Sequence, residues 1–337
     1  MTGRACRDRA IGAGAWAGDL SRIERSMDPR SGLLTFVGAA VLVIGAAAQS
    51  PQGQPPLVKE GRTIKVSDHV YVIPDDNVPI VPNVGIIVGT KATLVVDTGL
   101  GPRNAETILR EVAKVSRNAE GFLVATHFHP EHAGGNSGFP PSTKFIAARA
   151  QQKELDEQGA EMNRLFAGFS PVTADLLKDV RLRRADILFD REYTLDLGGL
   201  RVRLMAPGSM HTQGDTMVFV EPDRVLFAGD VVMNRRFLAF GPAASAETWV
   251  DVLKQLASLR PVLVVPSHGP TGDASIIDQQ RAVLEALRSR VRELKSRGTA
   301  QDDASKLLTT EFQAKYPDWT GSNGVTAAVR AMYKEAP

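Results

Sequence analysis

The sequence predicts a mixed α/β chain in which two strand-rich halves are each followed by helices. Three observations point there. Short β-branched runs such as "VGIIVG", "ATLVVDTG" and "VLFAGD" recur between turn residues. Stretches with apolar residues at helical spacing follow them. Polar, chemistry-bearing residues collect at the ends of the apolar runs rather than inside them.

The elements follow in order. "TIKVSDHVYVIP", "VGIIVG" and "ATLVVDTG" read as strands, with Gly89, Thr90 and Lys91 turning the last two into a hairpin. A helix is expected over about residues 104–116, with Ile108, Val112 and Val115 roughly on one face. "GFLVAT" is a short strand of the buried type. Residues 147–178 read as mostly helical, and Met162, Leu165, Phe166 and Phe169 form one apolar stripe at i, i+3, i+4, i+7. That stripe suits either a core face or the wall of a substrate pocket. Strands return with "YTLDLGGLRVRLMAP", turned at Gly198-Gly199, then "TMVFVEPDRVLFAGD" and "PVLVVPSHG". Helices over about 248–259, 275–297, 304–314 and 325–334 close the chain, and Tyr316, Pro317 and Trp319 are expected to pack the last of them together.

At 337 residues and 43% hydrophobic, the chain can bury a substantial core. Its formal charge of +2 is carried by the first 26 residues, where five arginines face three acids. The remainder is close to neutral and lacks the basic footprint of a nucleic-acid binder. Cys6 is the only cysteine, so no disulfide framework and no downstream thiolate is available.

Residues 32–50, "GLLTFVGAAVLVIGAAAQS", are apolar, uncharged and preceded by Arg30. They read as a secretory signal starting at Met27 and cleaved after Ala48, or as an uncleaved membrane anchor. The expected division is a leader over 1–48, a spacer over 49–60 containing "QSPQGQPP", a main domain over 61–300 and a helical extension over 301–337. A periplasmic or secreted protein is expected, touching a membrane only through an uncleaved signal.

The chemistry concentrates in "LVATHFHPEHAGGN", residues 123–136, where half of the six histidines fall within six positions. In an extended segment His127 and His129 project the same way. Pro130 can open a helix that swings Glu131 and His132 in beside them. His211 follows "RLMAPGSM", Asp230 ends "VLFAGD" and His268 ends "PVLVVPSHG". Only His69 stands apart, on the first strand. Imidazole and carboxylate without thiolate suit zinc, and less well iron or manganese.

These residues resemble the metallo-β-lactamase superfamily in "HFHPEH", His211, "FAGD", "PSHG" and the "VVDTG" strand end. The resemblance covers roughly residues 66–287 and implies an αβ/βα sandwich of two mixed sheets with outer helices. It implies that His127, His129 and His211 hold one metal and that Glu131, His132 and His268 hold a second. Asp230 would bridge the two, and Asp97 would brace the ligand loop. The implied cofactor is Zn²⁺, two per chain, sharing a hydroxide that attacks a small carbonyl substrate, with Glu131 or Asp230 moving a proton to the leaving group. The family's usual residue at position 131 is Asp, so the longer Glu131 puts the second ion in question. Asp230 also departs from the Cys or Ser of many true β-lactamases and agrees with glyoxalase II and lactonases. Phe166, Phe169, Arg235 and Phe237 are candidate pocket residues, and Arg235 with Arg236 could clamp a substrate carboxylate. The competing readings are a mononuclear iron enzyme acting on sulfur compounds and a non-catalytic metal-binding relay protein.

Overall fold

The computed structural model describes residues 54–335. The expected signal segment and its cleavage point lie outside the described residues. Seven strands form the first sheet in sequence order: β1 (Ile64–Lys65), β2 (Val70–Ile73), β3 (Val84–Val88), β4 (Ala92–Val96), β5 (Glu120–Val124), β6 (Lys144–Ala148) and β7 (Ile187–Phe189). The first four run antiparallel; β4 to β7 run parallel. The second sheet is a five-stranded set of β8 (Glu192–Asp196), β9 (Arg201–Met205), β10 (Met217–Val220), β11 (Val225–Gly229) and β12 (Leu263–Pro266). Only its β11–β12 pair is parallel.

Helices cover the outer faces. They are α1 (Pro102–Val115), α2 (Pro130–Ala133), α3 (Arg149–Ala167), α4 (Pro171–Leu177), α5 (Ala246–Ser258), α6 (Ser275–Ser296), α7 (Gln301–Lys315) and α8 (Asn323–Glu335). Between the sheets, Val70, Leu94, Val124 and Ile146 of the first pack with Val202, Leu204, Val218 and Phe227 of the second. The sheets approach so closely that a Cβ on Gly85 would stand 2.5 Å from the Phe227 ring. Ile86, Leu123 and Phe145 face Ala105 and Ile108 of α1 on the other side of the first sheet. A larger cluster joins the second sheet to α5 and α6 and then to Phe312, Val325 and Val329 of α7 and α8. Two mixed sheets with helices outside is the sandwich expected from the sequence. Among the described residues, no helix is long and apolar enough to cross a membrane.

Two regions of the fold differ from the sequence expectation. Residues 147–178 were expected to be mostly helical, yet Ala147 and Ala148 finish β6, and Gly168 ends α3 before Ser170 caps α4. β6 and β7 went unread because β6, buried from Phe145 to Ala148, shows no alternation, and β7 is only three residues long.

Candidate metal centre

The strand ends converge at one rim. β4 and β5 are parallel, so Asp97, just beyond β4, lies beside the segment that follows β5. Asp230 and His268 follow the parallel pair β11 and β12, and Ser267 N–H bonds back to the Gly229 carbonyl. His129 is the N-cap of α2 and Pro130 its first residue, which turns Glu131 and His132 inward on a single turn of helix.

Three imidazoles meet first. His127 Nε2 lies 3.0 Å from His129 Nδ1, and His129 Nδ1 lies 3.2 Å from His211 Nε2. Ligand nitrogens around a tetrahedral zinc with ordinary bond lengths sit ~3.3 Å apart, so this set fits such an ion. Two further groups, His127–His132–Asp230 and Glu131–His132–His268, bring their donor atoms within 4.8 Å of one another. Glu131 Oε2, His132 Nε2 and Asp230 Oδ1 are buried without a hydrogen-bond partner. Buried polar atoms are seldom left so. Three in one cluster, all of metal-binding types, fit a bound cation better than a packing fault.

Three of the five imidazoles are aimed from behind. Asp97 Oδ2 accepts from His132 Nδ1 at 2.9 Å, the Ala239 carbonyl from His211 Nδ1 at 2.6 Å, and the Val81 carbonyl from His268 Nδ1 at 2.9 Å. In each case Nε2 is left for the centre. Asp97 also accepts from the Thr126 N–H at 2.7 Å, the Thr126 hydroxyl at 3.1 Å and the Ser267 hydroxyl at 3.3 Å. It does so from a left-handed backbone, φ 64°, which Asp tolerates better than most residues.

The electrostatics follow from burial. Desolvation, helped by neighbouring imidazoles, holds His127 and His129 well below the usual histidine range, keeping them neutral as ligands must be. Burial lowers His268 too. It opposes the Asp230 carboxylate, but the imidazoles of His268, His211 and His132 outweigh it and hold the group at about 2. Burial raises Glu131 to about 7. It works against a charged His132 as well, yet contact with Asp97 prevails and raises that imidazole to about 9.

The other expected site residues divide. Phe166 is buried with its ring centroid 6.2 Å from that of His129, and Phe169 stacks on it at 4.8 Å. Phe166 therefore borders the centre, and Phe169 reaches it only through Phe166. Arg235 is exposed, its backbone at φ 54°. Phe237 is turned instead into the helical core, 5.3 Å from Trp319 and 6.1 Å from Tyr316, so it lines no wall at the rim. Arg236, not Arg235, is the arginine whose charge reaches Asp230 and His268. His69 pairs with Asp223 at 2.7 Å, away from the cluster.

Several contributors escaped the sequence reading. Thr126 and Ser267 each directly precede a clustered histidine, a position that could have flagged them. Glu154 on α3, whose carboxylate accepts the N–H groups of Gln213 and Gly214, carries no such signal.

Residues 78–268 match the description of the Metallo-beta-lactamase superfamily. The type 2 metallo-beta-lactamase of Elizabethkingia meningoseptica is 23% identical over 247 residues, covering 71% of this chain and 90% of that protein. The solved metallo-beta-lactamase from Pontibacter korlensis superposes with a TM-score of 0.54 and 20% identity, over 66% of this chain and 98% of its own. The stereoselective inverting sec-alkylsulfatase Pisa1 from Pseudomonas sp. reaches a TM-score of 0.61 at 13% identity, over 81% of this chain and 50% of its own. With more than half of its length matched and the sandwich shared with these structures, the chain belongs to the metallo-β-lactamase superfamily.

Proposed function

We propose that the protein is a zinc-dependent hydrolase of a small carbonyl substrate: an ester, lactone, thioester or β-lactam. The observation that carries this reading is the trio of orphaned donor atoms on Glu131, His132 and Asp230 beside three converged imidazoles. His127, His129 and His211 would hold one ion, and Glu131, His132 and His268 a second, with Asp230 shared. When bound, Zn²⁺ would supply Lewis-acid polarisation of the scissile carbonyl and acidify a coordinated water toward a pKa of ~7.

The chain's own side chains supply the rest. Asp97 and the carbonyls of Val81 and Ala239 fix the ring orientations. Asp230, held as a carboxylate, and Glu131, titrating near neutrality, are the groups positioned to take up a proton and return it to the leaving heteroatom. Phe166, beside His129, and Phe169, packed on Phe166, would receive an apolar portion of the substrate and keep water from it. The apolar run at residues 32–50 supports export to the periplasm or beyond.

The test is elemental analysis of the form beginning at Gln49, purified without chelators. It is read beside turnover of a chromogenic β-lactam, a small lactone and, given the likeness to the alkylsulfatase, a secondary alkyl sulfate. Two zincs per chain with turnover is the expected result. One iron per chain with oxygen consumption would replace this reading with an iron enzyme acting on sulfur compounds. Full metal loading with no hydrolysis would favour a non-catalytic relay protein.

A further inference from the structure

The first turns of α3 break the ordinary pattern of a surface helix. Gln151, Gln152 and Glu154 are all buried, although such residues usually face water. Gln152 serves a neighbouring loop by accepting from Ala185 N–H at 2.7 Å. The other two reach the ligand-bearing segments. Gln151 Nε2 donates to the Ala125 carbonyl at 3.0 Å, two residues before His127. Glu154 accepts from Gln213 N–H at 2.9 Å and from Gly214 N–H at 3.0 Å, the second and third residues after His211.

The His211 segment lies flat on the helix because residue 214 has no side chain; a Cβ there would fall 2.2 Å from Gln151 N. Thr216 N–H then bonds to the Thr126 carbonyl at 2.7 Å, tying the two ligand segments to each other. A closed circuit results, from Ala125 through Gln151, along α3 to Glu154, across Gly214 to Thr216, and back to Thr126. The residue type matters. Two N–H groups aimed at two oxygens require an acceptor-only side chain, and a glutamine would turn an amide N–H₂ toward one of them.

We infer that Glu154 is a positioning residue for the three-histidine set, fixing the backbone that carries His211 against the segment that carries His127 and His129. This rests on the metal-binding reading above. It goes beyond the ligands themselves, because Glu154 touches none of them. The His211 ring is aimed by the Ala239 carbonyl, whereas its place along the rim is held by Glu154.

The test uses the full chain stripped of metal and titrated with Zn²⁺ against a chromogenic chelator. Glu154→Ala and Glu154→Gln are each made in two backgrounds, His268→Ala and His211→Ala. The first background leaves the three-histidine set; the second leaves the set of Glu131, His132 and His268. Loss of an outer-shell support commonly weakens metal binding by ~10–100-fold. Glu154→Ala should therefore weaken the three-histidine set about tenfold, at the low end because the support acts through backbone. Glu154→Gln, which keeps the shape and one acceptor, should show a smaller loss in the same direction. Affinity in the His211→Ala background should stay within about twofold. Equal losses in both backgrounds, or no loss in either, would overturn the inference, since a merely structural residue shows no preference between the sets. Should Glu154→Ala fail to fold, the isosteric Gln variant decides alone by the same comparison. A wild-type chain that binds no Zn²⁺ would overturn the metal reading and this inference with it; Zn²⁺ bound equally tightly by wild type and variants overturns the inference only.

Discussion

Replacing Asp97 by Asn isolates the charge behind the centre. Asparagine occupies the same volume and tolerates the left-handed backbone at this position, whereas alanine would add a backbone cost of about 1 kcal/mol or more. In the metal-free protein the Asp97 carboxylate is the main support for a charged His132, whose imidazole rises from 6.5 to about 9 against the opposing effect of burial. Both side chains are buried, so solvent screening is slight. At ~1.4 kcal/mol per pKa unit, a shift of this size is worth about 3 kcal/mol. A raised histidine pKa contributes stability that is fully present below 6.5 and is lost as pH rises through about 9. The wild-type advantage over Asp97→Asn should therefore shrink by about 3 kcal/mol between pH 6 and 9.5. The residual gap reflects the bonds to Thr126 and Ser267, which do not depend on the His132 proton. Urea unfolding of chelator-treated protein at both pH values measures it. A gap that stays constant with pH would refute the reasoning, because the pair would then contribute no charge-dependent stability.

Three further outcomes are expected. Glu131→Gln keeps the side-chain length but removes the anionic ligand, so zinc content should fall from two per chain to one by elemental analysis; two retained zincs would remove Glu131 from the ligand set. Because burial raises Glu131 to about 7 and contact with Asp97 raises His132 to about 9, acidification below pH 7 leaves both protonated and must weaken metal binding, by up to ~10-fold per pH unit for each competing proton; an affinity flat between pH 5 and 7 in competition titrations would contradict this. Phe237→Ala should cost about 3–5 kcal/mol of unfolding free energy by leaving a cavity among Tyr316, Trp319 and the closing helices. Its zinc content should be unchanged, and lost zinc with unchanged stability would return Phe237 to the rim.

The sequence carried the centre in unusually plain form. Its polar residues stand at the ends of apolar runs, and parallel strands gather their C-terminal ends on one side, so "HFHPEH", "FAGD" and "PSHG" could be assigned to one place before any coordinates. Asp97 was legible only through the family resemblance of the "VVDTG" strand end. β6 and β7 were not, since "KFIAA" and "ILF" lack the alternation that marks a half-exposed strand. Phe237 follows Asp230 by only seven residues, yet the chain turns there and buries the ring with Tyr316 and Trp319 among the closing helices, a tertiary event with no local signal. Glu154 was invisible because a glutamate on a helix is ordinarily solvated, and only the tertiary approach of Gly214 gives it a task.

The candidate ligands come from both sheets: four from the segment after β5, and three from beyond β9, β11 and β12. His127 and His268 are separated by about 140 residues of chain. Past Cys6 the protein has no thiol with which to tie such distant points together. Coordination bonds across the rim would take the place of a disulfide there, restricting the unfolded chain by closing long loops and adding stability that grows with free metal concentration. The seam between the two sheets would thereby become a sensor of metal supply. In a metal-poor compartment the rim would loosen before either sheet does, exposing the chain to proteases at its ligand loops rather than at its core.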